Sequence, residues 1–312
     1  MQAPRVSYII AAYNAEETVL SAIQAVLVQD SVPVEALVVD DCSSDRTAAV
    51  ARSVKDDRVR VVTTRSNLGP GGARNVGLDM ASGEFIAVLD ADDSLRPQRT
   101  ASLLARISDS SAAIVVDNLK VMDSKTGTTQ LGWTNQTFER PSRLDLADFI
   151  SGNIIYNARI RHYGYLKPLI RRSLIDTIGL RYHEGLMIGE DFYFLANAIA
   201  QAGDCLTVPS AGYVYSQGDS SISVDLREVD VRRMRAEDDH FRRTHALDPR
   251  AQAALARRTK SLDEALAYMK LRQSIRDRSP LRACSSVASN PAALRRLVKT
   301  MGSKIAKTGS LR

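Results

Sequence analysis

The sequence predicts an α/β protein with a mainly parallel central sheet flanked by helices. Two features carry that expectation. Over the first hundred or so residues, short Val- and Ile-rich runs alternate with segments of helical periodicity, the pattern of βαβ units and a sheet covered on both faces. Three of those runs also stop abruptly in polar clusters, "AAYN", "DDCSSD" and "DADD". Parallel sheets bind ligands off the carboxyl ends of their strands, so the clusters form one candidate site.

The elements follow in order. "RVSYIIAA" and "VEALVVD" read as buried strands, and between them "AEETVLSAIQAVLVQ" places Val19, Ile23, Val26 and Leu27 on one helical stripe. A second helix is expected from about Ser44, with Ser43 and Ser44 as N-caps, followed by the strand "RVRVVTT". Next come a Gly-rich turn, a helix through Met80 stopped near Gly83, the strand "EFIAVLD" and a helix from about Arg96. After "SAAIVVDNL" the regularity fades. Residues 119–185 mix short strands, turns and aromatics, as a substrate-shaping region would. A helix is expected from about Glu190 to Ala202, then one or two short strands in "LTVPSAGYVYSQ", then long polar helices over 225–277. The domain boundaries expected are 1–118, 119–222 and 223–312.

Composition narrows the classes. The chain has 312 residues, enough for a substantial core, and 44% hydrophobic with 25% charged residues are the proportions of a globular protein. No run approaches the roughly 18–20 apolar residues of a membrane span, and "VSYIIAAY" is too short for a leader's apolar region. Cys42, Cys205 and Cys284 are odd in number and far apart, which predicts reduced thiols and a cytoplasmic location. The net charge of +6 is uneven. Residues 270–312 hold eleven basic residues against the single acid Asp277, a net of +10, which leaves residues 1–269 at −4.

Within that basic end, "NPAALRRLVKTMGSKIAK" (290–307) spaces Leu294, Leu297, Val298, Met301 and Ile305 as a helix stripe, with Arg295, Arg296, Lys299, Lys304 and Lys307 on other faces. A basic amphipathic helix suits an anionic membrane surface; packing on the body or a solvated tail would use the same residues differently.

Four clusters carry chemistry, and each has a plain structural alternative. Asp90, Asp92 and Asp93 suit a hard cation such as Mg²⁺ or Mn²⁺, or form a solvated turn before the next helix. Asp40 and Asp41 sit where an acid could accept from a nucleobase or ribose, or cap a helix. "NLGPGGARNVG" allows close backbone approach to a ligand, with Arg74 placed for a phosphate, or is a Gly-rich helix start with a surface Arg. Glu190 and Asp191 open a helix, where the dipole favours acids in any case; a general base is the functional alternative.

Taken in order, "VSYIIAAYNAEETVLSAIQAVLVQ", "VVDDCSSDRT", "NLGPGGARNVGL", "ASGEFIAVLDADD" and "GEDFYFLANAI" resemble a family 2 glycosyltransferase of the GT-A fold over residues 4–222. "GPGGARN", "VVDNL" and "YLKPLI" further resemble the glucosyltransferases of succinoglycan-type exopolysaccharide assembly. The resemblance implies that Ala11 and Tyr13 frame a nucleotide, Asp41 reads its base, Asp90 touches ribose and Arg74 lies near the diphosphate. It implies Asp92 as the ligand of Mn²⁺ or Mg²⁺ and Asp191 as the catalytic base. Lys167 matches a position often basic in the family, which makes it a donor contact or a snorkelling surface lysine. The implied donor is a UDP-sugar, chiefly UDP-glucose. The implied acceptor is a polyprenyl-diphosphate-linked oligosaccharide at the inner face of the cell membrane, and no nucleic acid partner is expected.

Two departures qualify that picture. The Gln/Arg-x-x-Arg-Trp signature of processive synthases is missing, since the sole tryptophan, Trp133, stands far from any such motif. A third metal ligand is also missing; His183 reads as structural, and residues 215–217 occupy the region for a late ligand. Two rival classes use similar residues: a sugar nucleotidyltransferase, against which "AAYNAEE" stands where a basic phosphate loop belongs, and a non-enzymatic protein binding membrane or nucleic acid through its basic end.

Overall fold

The computed structural model describes residues 4–295 and 297–298, leaving out 30, 31, 109, 156–161 and 218–225. Its amino-terminal half is the expected alternation: β1 (Val6–Ala12), α1 (Val19–Leu27), β2 (Val34–Asp40), α2 (Thr47–Ser53), β3 (Val59–Thr63), α3 (Gly69–Met80) and β4 (Phe85–Val88). These four strands pair in parallel in the order β3-β2-β1-β4. Tyr8, Ile9, Ile10, Leu37 and Phe85 are buried between the helical layers, each side chain worth roughly 1.5–3 kcal/mol of transfer free energy. Gly77 lets α3 lie close on β1, because a Cβ there would stand 2.3 Å from Ile9 Cγ2.

Beyond β4 the sheet, parallel over most of its paired residues as expected, also takes in antiparallel strands. After β5 (Ser94–Leu95) and α4 (Arg99–Ser108) come β6 (Ile114–Asp123), β7 (Thr129–Leu131), β8 (Ser142–Asp145), α5 (Leu146–Ser151), β9 (Leu169–Arg171), α6 (Arg172–Ile178), α7 (Glu190–Ala202) and β10 (Asp204–Gln217). The sheet runs on as β4-β9-β6-β10-β5, with β7 on β6 and β8 on β10. Only β6 and β10 are parallel here; β9 is antiparallel to both neighbours. β6 runs through residue 118, so both halves share one sheet. β10 is a single 14-residue strand rather than one or two short ones. It tolerates Pro209 because the ladder shifts register between Val208 and Ala211, where the missing N–H costs no pairing.

Two further local expectations change. "GPGG" is already the first turn of α3, because Asp41 Oδ1 accepts from the Leu68 amide and Asn67 Oδ1 from that of Gly69. Ser43 and Ser44 do not cap α2. Ser43 Oγ accepts from the Asn14 amide and Ser44 donates to Asn14 Oδ1, while Asp45 takes the Thr47 amide.

At the carboxyl end α8 (Glu228–Thr244), α9 (Pro249–Arg276) and α10 (Pro280–Ser289) form the expected helical extension. Val231, Met234, Phe241, Leu255 and Leu262 belong to the same core as the sheet. Beyond α10, Ala293 and Leu297 pack with Ala267 and Leu271 of α9, whereas Leu294 and Val298 are exposed. The remainder of the basic stretch, including Lys299, Met301, Lys304, Ile305 and Lys307, lies outside the described residues, as does Arg296. No described helix is long and apolar enough to cross a membrane.

Candidate active site

Parallel register brings the ends of β1, β2 and β4 side by side. Ala12 pairs with Asp40, the Asp41 amide donates to Ala12 O, and the Leu89 amide donates to Ile9 O. Tyr13 is 53% exposed, Ala11 half-buried and Asp41 buried at this edge. Asp41 Oδ1 is used by the fold, taking the Thr64 hydroxyl and the Leu68 amide. Asp40 Oδ1 is buried with no hydrogen-bond partner among the described residues.

After β4, the Asp93 amide donates to Asp90 O and closes a turn that separates three carboxylates. Asp93 is buried, accepting from the Tyr213 hydroxyl at 2.6 Å and the Ser216 amide at 2.8 Å. It therefore joins the turn to β10 instead of capping α4. Burial, with Asp90 and Asp92 nearby, pushes its carboxyl well above the usual range. Asp92 points to solvent and enters no ion pair among the described residues. Partial burial and the charge of Asp90 raise its pKa. A carboxylate in that position is short of positive charge, so its chemistry fits a divalent cation completed by ligand oxygens. No described group of three or more His, Cys, Asp or Glu side chains could enclose a metal.

Asp90 belongs to a closed ring of charges. Arg74 Nη2 donates to Asp90 Oδ1 at 2.7 Å and Arg74 Nη1 to Asp191 Oδ1 at 2.8 Å. Lys167 Nζ lies 2.7 Å from both Asp90 Oδ2 and Asp191 Oδ2. Arg74 also reaches Glu190 Oε1 at 2.7 Å. Burial alone would raise the Asp90 pKa, but Lys167 and Arg74 outweigh it and hold the carboxyl well below its usual range. The same burial disfavours charge on Lys167, and Asp191 and Asp90 overcome it. Burial and the neighbouring Asp191 push Glu190 up to about 7.

Each ring member arrives by a different route. Arg74 sits on the first turns of α3, and Asn75 beside it clamps the Tyr182 backbone, donating to its carbonyl at 3.0 Å and accepting from its amide at 2.8 Å. Lys167 precedes β9. Because β9 is antiparallel to β4, with Ala87 opposite Leu169, the start of β9 lies beside the end of β4. Arg99, paired with Asp117 at 2.9 Å, donates to Lys167 O at 2.5 Å and fixes that start. Glu190 and Asp191 open α7 behind Gly189 at φ +90°, a left-handed conformation suited to glycine.

The structure thus gathers Arg74, Asp90, Lys167 and Asp191, with Asp92 two residues from Asp90. Lys167 is buried, which corrects the snorkelling alternative. Neither Arg74 is a surface residue nor its loop a mere turn. Asn75 and the Arg99–Asp117 pair were not foreseen as site residues; the nearest sequence signal is the lone Lys167 in the apolar run "YLKPLI". His183 accepts from the Gly185 amide and faces Glu237 at 3.6 Å, away from the ring's described contacts.

A GT-A fold with acids at successive strand ends and a carboxylate at a facing helix defines a class of sugar transferases. Residues 7–170 match Glycosyl transferase family 2, and the chain belongs to that family. It is 39% identical to the succinoglycan biosynthesis protein ExoO of Rhizobium meliloti over 97% of this chain and 86% of that protein. A GalNAc(5)-diNAcBac-PP-undecaprenol beta-1,3-glucosyltransferase of Campylobacter jejuni is 31% identical over 47% of this chain and 48% of its own length. Among solved structures, residues 1–349 of S. aureus TarS with UDP-GlcNAc superpose with a TM-score of 0.66 at 19% identity, covering 91% of each chain, which shows the shared fold. The chain is a glycosyltransferase, not a nucleotidyltransferase or a purely structural binding protein.

Proposed function

We propose that this chain is an inverting, metal-dependent glucosyltransferase. It moves glucose from UDP-glucose onto a polyprenyl-diphosphate-linked oligosaccharide of a succinoglycan-type exopolysaccharide, forming a β linkage. The observation that carries this reading is the ring itself, in which Arg74 and Lys167 hold a donor-side carboxylate, Asp90, against a helix-borne one, Asp191. The names of the Rhizobium and Campylobacter relatives support the process and the acceptor class.

Residues 1–118 bind the donor. Ala11 and Tyr13 frame the nucleotide, Asp41 accepts from the base and Asp90 from ribose. Asp92 would hold Mn²⁺ or Mg²⁺, which when bound would supply Lewis-acid neutralisation of the departing diphosphate. Arg74 and Lys167 add positive charge on the same side, where the leaving group's charge develops. Residues 119–222 shape the acceptor side. Asp191 takes the proton of the attacking hydroxyl as that oxygen bonds to the anomeric carbon from the face opposite the diphosphate. One such displacement inverts the centre, so an α-linked donor gives a β product. Residues 223–312 supply the extension that contains α8, α9 and α10 and the basic end of the chain, which rests on the anionic inner face of the cell membrane as a peripheral contact.

A panel of UDP- and GDP-sugars, assayed for transfer with and without Mn²⁺, tests the reading. Metal-dependent transfer from UDP-glucose is the expected result; transfer from a GDP-sugar alone, or none that needs metal, contradicts it. Deleting residues 278–312 is expected to abolish binding to anionic vesicles and keep transfer to a soluble acceptor.

A further inference from the structure

The helix that carries Asp191 is held from behind by α8, through contacts that are polar and specific. Arg233 Nη1 donates to Gly185 O at 3.0 Å, and Glu237 lies 3.6 Å from His183, both in the segment leading into α7. Met234 packs so closely on Gly189 that a Cβ there would come within 2.9 Å of its sulfur. On α7 itself, Tyr193 points the other way from Asp191, since positions two apart differ by about 200° around a helix. Its hydroxyl lies 2.5 Å from Met234 O and 2.7 Å from Asp238 Oδ1, and accepts from Arg258 Nη1 at 3.0 Å. Arg258 pairs with Asp238, Thr259 donates to Asp238 Oδ2 at 3.0 Å, and the Arg258 guanidinium lies 3.9 Å from the centre of the Phe192 ring.

Tyr193, Asp238 and Arg258 are all buried. Buried ion pairs contribute little net stability compared with apolar packing, whereas their directional bonds admit one geometry. Here that geometry governs the axial rotation of α7, and ring contacts on the opposite side need Asp191 within hydrogen-bond reach. Misplacing a catalytic group by about 1 Å can cost about 10²-fold in rate.

We infer that α8 is a positioning element of the active site: by holding Tyr193 and the 183–189 segment it sets the rotation of α7 and so the place of the Asp191 carboxylate. The inference rests on the reading of Asp191 as the base. It assigns Tyr193, Asp238, Arg258 and Arg233 as positioning residues, all beyond the residue range that matches the family.

Two variants of the full chain test it. Tyr193→Phe removes only the hydroxyl, and Arg233→Ala removes a surface side chain whose loss leaves the core intact. Steady-state transfer from UDP-glucose and Mn²⁺-UDP affinity, both measured below the melting range, are compared alongside the melting temperature of each variant. Tyr193→Phe is expected to lower kcat at least tenfold and Arg233→Ala about threefold. Donor KM and UDP affinity should stay within twofold, because the donor groups stand on other elements. A kcat within twofold of wild type in Tyr193→Phe overturns the inference; so does a parallel fall of kcat and UDP affinity, which marks general destabilisation. Failure of the underlying reading shows separately, as an Asp191→Asn protein that still transfers.

Discussion

The β1–β4 half of the sheet and the β6–β10 half bring residues to the site in different ways. In the first, parallel register does the work: Asp41 and Asp90 stand one and two residues beyond β2 and β4, each placed by main-chain bonds. In the second, Lys167 depends on an antiparallel strand and a buried Arg99–Asp117 pair, and Asp191 on a helix gripped by α8. The donor groups therefore rest on a scaffold that any βαβ unit supplies. The base and its lysine rest on long-range side-chain contacts, and substitutions should separate the two halves accordingly.

The largest effect is expected where the second half alone is cut. Asp191→Asn should lower transfer about 10³-fold, within the usual range for a general base, while calorimetry finds unchanged Mn²⁺-UDP binding. Loss of binding would mean that the halves are not functionally separable.

Among the described residues, Arg74 is the one side chain that touches Asp90, Glu190 and Asp191 together. Arg74→Met strips a buried cation from three carboxylates and should cost about 3–5 kcal/mol in urea unfolding. A loss under 1 kcal/mol would show that Lys167 alone suffices. Asp92→Ala breaks the first half only. The gain in UDP affinity on adding Mn²⁺ should disappear, and unfolding should shift by less than about 0.5 kcal/mol, as for an exposed site.

Glu190 sharpens the comparison through pH. Its carboxyl holds its proton to about pH 7 in the folded chain and to about 4.5 when unfolded. Between those values the folded state binds the extra proton, so this contribution to stability is complete below 4.5 and lost as pH rises through 7. Asp90, shifted down, acts in the opposite sense and only below its ordinary value of 3.8. Wild-type stability relative to Glu190→Gln should therefore fall from pH 5 to pH 8. A flat difference would remove Glu190 from the ring's titration.

Legibility in the sequence follows the same division. "VEALVVD" forms β2 and "EDFYFLANAIAQA" forms α7 at the expected residues, because strong periodicity and helix-end acids are local signals. The antiparallel insertion of β9 was not legible: a three-residue strand carries no period, and its direction is set by pairing with β4 and β6. For the same reason Arg74 and Asp191 could be named as candidates, but not joined. Nothing local in "GGARN" shows that its arginine meets a carboxylate 117 residues away. The Tyr193–Asp238–Arg258 contacts were hidden among ordinary helix residues, since "ALARRTKSL" looks like a solvated face.

The central claim is that one in-line displacement, assisted by Asp191, transfers sugar from an α-linked UDP donor. The most direct measurement is the anomeric configuration of the initial product formed from UDP-glucose, read by proton NMR from the coupling of its new anomeric hydrogen. A β linkage is the predicted result. An α linkage would require either a second displacement or front-face attack, and would contradict the role given to Asp191.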